Sequence, residues 1–197
     1  MDDVRYAVRD GIAEIALAHP PVNALTLGRV RALIAALQRA ARDDAARAVV
    51  LCSDVPGRFC AGLDLKALDG QPPDAVRELL DALYPGLVDA QRALGKPSIA
   101  AIDGTARGGG MTLAIGCDLL VAGRDASFGY PEIDLGVLPA IHFEHLHRIV
   151  GRYRAFDLLF TGRSFGAEEA ERLGLVSRVV EPGQALAAAR ELAGVIA

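Results

Sequence analysis

Two short runs, VRYAV and IAEIAL, flank Asp10-Gly11, a pair that accepts the positive φ a tight turn requires, so this pattern predicts a β-hairpin. Pro20-Pro21 then stops the strand. From Thr26 onward Leu27, Val30, Ile34, Leu37 and Ala41 recur at three- and four-residue spacing, which predicts an amphipathic helix over 27–42 capped by Thr26. AVVLC at 48–52 is a short apolar run suited to a buried parallel strand. The pattern repeats with a helix over 74–94, a strand SIAAI at 98–102, a Gly-rich turn, a small-residue helix over 108–116 and a strand DLLVA at 118–122. Helices follow at 140–150, 152–160, 167–173 and 184–196, with a strand at 175–180. Strands alternating with helices imply a layered α/β protein of short β-β-α units. No low-complexity segment marks a boundary, so residues 1–197 are expected to form a single domain.

Composition and charge sharpen this picture. Hydrophobic residues make up 52% and aromatics only 5%, so the core must be built from Ala, Leu, Val and Ile, with 21 glycines allowing close backbone approach. A net charge of −4 gives no basic footprint for nucleic acid, so a phosphate-bearing ligand would need a local positive cluster, with Arg29, Lys66, Arg107 and helix N-termini as candidates. Cys52, Cys60 and Cys117 have neither C-x-x-C spacing nor a partnered His motif, which argues against disulfides and against a zinc site; buried reduced thiols are expected. The N-terminus carries acids where a signal peptide needs bases, and no stretch of 18 uncharged apolar residues occurs, so a cytoplasmic protein without a membrane partner is expected.

The segment IDGTARGGGMT at 102–112 sits where a strand turns into a helix, and its three glycines would let a ligand lie against exposed backbone N–H groups. It is not a Walker A loop, because Gly110-Met111 replaces Lys-Ser/Thr, and no G-x-G-x-x-G opens the first βα unit. Glycines serving only tight helix packing are the competing reading. PGRFCAGLDLK at 56–66 places Gly62 between a buried-type strand and a helix start at Asp64; alone it is a turn. Together, two Gly-rich strand ends could aim two amides at one point, the minimum apparatus for a developing oxyanion. A Ser-His-Asp hydrolase is disfavoured, since no G-x-S-x-G elbow exists around Ser98, Ser127 or Ser164.

Five ordered segments, PPVNALT, FCAGLDLK, KPSIAAIDGTARGGGMTLAIGCDLLVA, FGYPEIDLGVLP and the stretch from Gly162 to Val180, resemble the diagnostic segments of the enoyl-CoA hydratase/isomerase (crotonase) superfamily. The resemblance spans nearly the whole chain and implies the crotonase (ClpP/crotonase-like) fold of repeated ββα units, with the C-terminal helical subdomain shortened or absent. It implies an acyl-CoA thioester as substrate, no cofactor beyond the coenzyme A moiety, and assembly as a homotrimer or dimer of trimers. By the same resemblance the oxyanion donors are the N–H groups of Leu63 and Gly109, and Glu132, after Pro131, moves the proton. Ala61, Gly62, Asp64, Lys66, Gly108 and Pro131 line the ligand site, with Val22 and Asn23 giving backbone or supporting contacts.

One departure bears on the reaction. Hydratases of this family resemble one another in carrying a second Glu two residues after the glycine triplet, where this chain has Thr112. Hydration needs groups that activate a water and deliver a proton to carbon, which two carboxylates do readily; moving a double bond from the 3,4 to the 2,3 position needs one base. PPVN and PG-x-F-x-AGLDL also resemble the mitochondrial-type Δ3,Δ2-enoyl-CoA isomerases, so isomerisation is the favoured activity. Hydration, decarboxylation or thioester hydrolysis on the same scaffold, and a non-catalytic acyl-CoA-binding role, stay open. A functional Glu132 should sit in an apolar pocket with its pKa raised; without the likeness it reads as a solvated loop acid. Asp134 reads as a surface or capping acid and Asp118 as structural. His142, His145 and His147 read as surface or packing residues, His142 drawing attention by its place near the expected acyl group.

Overall fold

The computed structural model describes residues 3–197. Strands β1 (Val4–Arg9) and β2 (Ile12–Leu17) form the hairpin, and Asp10 and Gly11 take φ of 51° and 80° at its turn. Helix α1 (Leu27–Arg42) buries Val30, Leu33, Leu37 and Ala40, and Thr26 Oγ1 accepts a long bond from the Arg29 N–H. After β3 (Ala48–Ser53) and β4 (Arg58–Cys60) come two helices, α2 (Leu65–Leu68) and α3 (Pro73–Asp81). The helix expected over 74–94 is not continuous: a π-helical turn over Ala82–Gly86 separates α3 from α4 (Leu87–Arg92). Pro85 lies inside that turn; it has no N–H to give and its ring crowds the carbonyl four residues back, and a local widening accommodates both.

The chain continues through β5 (Ser98–Ile102), β6 (Thr105–Arg107), α5 (Gly109–Ile115), β7 (Leu119–Gly123) and β8 (Ser127–Gly129) to a 3-10 turn over Pro131–Leu135. It ends with α6 (Ala140–Val150), α7 (Arg152–Thr161), β9 (Phe165–Gly166), α8 (Ala167–Arg172), β10 (Arg178–Val180) and α9 (Ala185–Ile196). One sheet has the order β1-β2-β3-β5-β7-β10, parallel from β2 onward. Alternation along β3 serves two cores: Val49 and Leu51 face α1, while Ala48, Val50 and Cys52 face α9. Ala185, Ala189 and Ala193 line the buried stripe of α9, small enough for the helix to lie close, and Asp103 caps its start by accepting from the N–H groups of Gly183 and Ala185.

A second sheet, β4-β6-β8-β9, is built from segments whose glycines read as turns. Strands β4, β6 and β8 run parallel, so their C-terminal ends open on one rim. Each end leads into one of the chemically distinctive segments: Ala61–Asp64, Gly108–Gly110 and Tyr130–Glu132. Asp118, at the head of β7, accepts from the Ser98 N–H and hydroxyl and is structural, as expected. The three cysteines are free; Cys52 and Cys60 are buried as expected, and Cys117 is half-buried.

Candidate active site

The Gly62–Asp64 segment is held extended by Leu25, whose N–H donates to the Gly62 carbonyl while its own carbonyl accepts from the Asp64 N–H, at 2.8 and 2.9 Å. In such a parallel bridge the residue between the two bonded groups points its own N–H the other way, and the Leu63 N–H donates to no protein acceptor among the described residues. Gly109 opens α5, so its N–H lies in the first turn and has no intrahelical partner; among the described residues it too is free. The two segments touch. A β-carbon on Gly62, which has φ of 86°, would lie 2.8 Å from the Arg107 carbonyl oxygen and 3.1 Å from the Gly109 nitrogen. Glycine is required here twice over, for its backbone angle and for the closeness of the two amides.

The triplet is locked to the next strand by a bond from the Gly108 N–H to the Gly129 carbonyl at 3.1 Å. Gly108 has φ of 49°, and the space its side chain would take holds the Glu132 carboxyl group, whose Oε1 would be 2.8 Å from a β-carbon there. Pro131 starts the 3-10 turn that carries Glu132, and Gly136 in the left-handed region ends it. Glu132 Oε2 is buried without a hydrogen-bond partner among the described residues. Burial raises the Glu132 pKa, and the charge of Glu132 adds to the burial that raises Tyr84 and Tyr130. The carboxyl group thus packs on Gly108, the residue before the free Gly109 N–H, in a poorly solvated niche, the environment that turns a carboxylate into a stronger base. Asp134 is exposed, as expected.

Thr112 and His142 occupy the next layer. Thr112 Oγ1 lies 3.3 Å from His142 Nε2, the imidazole centroid is 4.5 Å from that of Tyr130, and neither His142 Nδ1 nor the Tyr130 hydroxyl has a partner among the described residues. His142 is fully buried, so the surface reading fails for it; burial first, then His145, pushes its pKa down to about 3 and leaves a neutral ring. His145 and His147 are half-buried on α6.

The remaining expected site residues divide by role. Ala61 is exposed and its N–H donates to the Val22 carbonyl, which pins the rim loop. Asn23 is 2% exposed and braces that loop: its amide Nδ2 donates to Ser53 Oγ and the Phe59 carbonyl, and its Oδ1 accepts from the His19 N–H. Its side chain therefore supports the site from behind. Asp64 caps α2 through the Ala67 N–H, while Lys66 is exposed on the same short helix. Two of the candidate phosphate ligands are otherwise engaged, which corrects the sequence expectation. Arg29 binds Asp3, the Ala24 carbonyl and His19. Arg107 reaches the Ser127 carbonyl and hydroxyl and Ser164 Oγ, tying β6 to β8 and the segment before β9. Sequence reasoning assigned Tyr130 no role; Thr112 and His142 stood out separately by their family positions, and their contact is a tertiary fact.

Two main-chain N–H groups without partners among the described residues, at the ends of parallel strands, and a poorly solvated carboxyl group packed on the residue before one of them are the arrangement that oxyanion stabilisation with proton transfer would use. The sequence profile described as enoyl-CoA hydratase/isomerase matches residues 7–197, and the chain belongs to that family. It is 44% identical over 177 residues to a probable enoyl-CoA hydratase of Rhizobium meliloti, covering 87% of this chain and 67% of that one. It is 40% identical over 185 residues to a probable mitochondrial enoyl-CoA hydratase of Arabidopsis thaliana, covering 93% of this chain and 61% of that relative. Its fold matches an enoyl-CoA hydratase structure from Bacillus anthracis with a TM-score of 0.94 and 31% identity, over 99% of this chain and 76% of the other. The chain thus spans about three fifths to two thirds of the length of these two relatives.

Proposed function

We propose that the chain isomerises a 3-enoyl-CoA to a 2-enoyl-CoA. The thioester oxygen accepts hydrogen bonds from the N–H groups of Leu63 and Gly109, Glu132 removes a proton from C2, and the negative charge delocalises onto that oxygen. Glu132 then returns the proton to C4, the double bond comes to rest between C2 and C3, and no atom is gained or lost. Each amide donor is worth about 3 to 4 kcal/mol of transition-state stabilisation. Ala61, Asp64 and Lys66 flank the coenzyme A entrance, and acid-base chemistry of this kind asks for no metal and no redox cofactor. The observation that carries the reading is that Glu132 lies over Gly108, while the position that would hold a second carboxylate is Thr112, turned to His142.

A second reading, hydration of a 2-enoyl-CoA, is favoured by the hydratase names of the two relatives above. Incubation with 2-enoyl- and 3-enoyl-CoA in deuterated water separates the two, because isomerisation yields a 2-enoyl thioester labelled at C4 only as far as the Glu132 proton exchanges with solvent before its return, whereas hydration yields a 3-hydroxy thioester that has gained one molecule of heavy water. Free acid or carbon dioxide as product identifies a hydrolase or decarboxylase, and binding without turnover a carrier. Glu132→Gln abolishes turnover of a 3-enoyl-CoA and keeps thioester binding; undiminished turnover refutes the role. Assembly into homotrimers or dimers of trimers in the cytoplasm accompanies this reading; exposed Val137, Leu138, Tyr153 and Phe160 support a self-associating surface, and light scattering tests it.

A further inference from the structure

We propose that the Thr112–His142 contact is the end wall of the acyl cavity and restricts the protein to short acyl-CoA thioesters. The inference rests on the acyl group lying between Glu132 and the Gly109 amide. On the reactive side of the contact, His142 lies against the Tyr130 ring and near the Gly108 carbonyl, and Gly108 in turn packs under the Glu132 carboxyl group. Thr112 and His142 are 1% and 0% exposed, so no opening passes between them. On the far side, Thr112 also borders a cleft of about 260 Å³ between α4, α5 and α6, with one wall of Val88, Ile115 and Ile149 and a polar one of Arg92, His145 and Arg148.

That volume falls below the roughly 300–1,000 Å³ of a site for a whole ligand and suits an extension of one, the distal carbons of a longer chain. A buried imidazole in contact with a hydroxyl and an aromatic ring is held on several sides, and a packed side chain does not yield cheaply to an advancing methylene. The wall therefore stops a chain that could otherwise run on along the apolar side of that cleft.

The test is equilibrium binding of the saturated, unreactive thioesters butyryl-, hexanoyl- and decanoyl-CoA to the wild type, His142→Ala and Thr112→Ala, with circular dichroism to verify folding. The wild type is expected to bind butyryl-CoA and to bind decanoyl-CoA no more tightly. In His142→Ala the ratio of decanoyl to butyryl affinity should rise by at least about tenfold, the worth of roughly two newly buried methylenes. Thr112→Ala, which removes the other half of the wall, should shift the same ratio in the same direction. Wild-type affinity that rises steadily from butyryl to decanoyl overturns the wall on its own, whatever the variants do. An unchanged ratio in a folded variant overturns it too. Failure of every thioester to bind the wild type removes the acyl-CoA site itself, and the wall with it.

Discussion

Replacing Gly62 by alanine places a methyl group between the two segments whose amides would hold the thioester oxygen. The cost to folding has two parts. An L-residue in the left-handed region loses about 1–2 kcal/mol, and a β-carbon 2.8 Å from the Arg107 carbonyl oxygen forces a backbone shift worth roughly another 1–2 kcal/mol. For a chain of this length that total of about 2–4 kcal/mol lowers Tm by on the order of 5–12 °C. The catalytic cost is separate: the same methyl stands 3.1 Å from the Gly109 nitrogen, and losing one oxyanion donor lowers kcat by about 10² to 10³. Gly174→Ala is the control, because Gly174 has φ of 78° with nothing within 4 Å of an added β-carbon, so it pays the backbone cost alone. Calorimetric melts and steady-state kinetics on both variants give the comparison. If Gly62→Ala keeps kcat within about threefold of the wild type while melting as expected, the two amides do not form the oxyanion site.

Three other outcomes are expected. Glu132→Gln should raise Tm even as it removes turnover: burial raises the folded-state pKa of Glu132, so its contribution is present at low pH and lost as pH rises through that pKa, and the gain should be larger at pH 8 than at pH 4. His142, with its folded-state pKa near 3 against an ordinary 6.5, binds its proton mainly when unfolded, so its contribution is present above pH 6.5 and lost as pH falls from there towards 3. Urea titrations should show the wild type losing about 2 kcal/mol more than His142→Phe between pH 6.5 and 5, and parallel slopes would count against a buried neutral ring. Asn23→Ala removes the bonds to Ser53, Phe59 and His19, which should cost about 2–4 kcal/mol by chemical denaturation and weaken thioester binding through the loosened 61–64 loop, whereas an unaltered midpoint would show the bracing to be idle.

The larger sheet was legible because five of its six strands are five or six residues of mostly apolar side chains and its helices carry a clear apolar stripe. The smaller sheet was not: β4, β6 and β8 are three residues each, and RFC, TAR and SFG have too little length for a period to register, while the neighbouring glycines argue for turns. The break at Pro85 was visible as a proline but was passed over, since the apolar spacing continues on both sides of it. Glu132, Leu63 and Gly109 were found by motif, and the physical reason they belong together, parallel pairing of segments distant in sequence, is a tertiary fact. Pairing also explains the errors over Arg29 and Arg107, because nothing local announces that Asp3, His19, Ser127 and Ser164 will claim them.

Because β4, β6 and β8 stand side by side and point the same way, the proposed chemistry falls on three peptides of a few residues each, set apart from the six-stranded sheet. Such a division lets the reaction drift under selection without endangering the scaffold, provided that the glycines keeping the three tips in register are left alone. Thr112, just beyond the middle tip and in contact with the His142 imidazole, is a position of that kind.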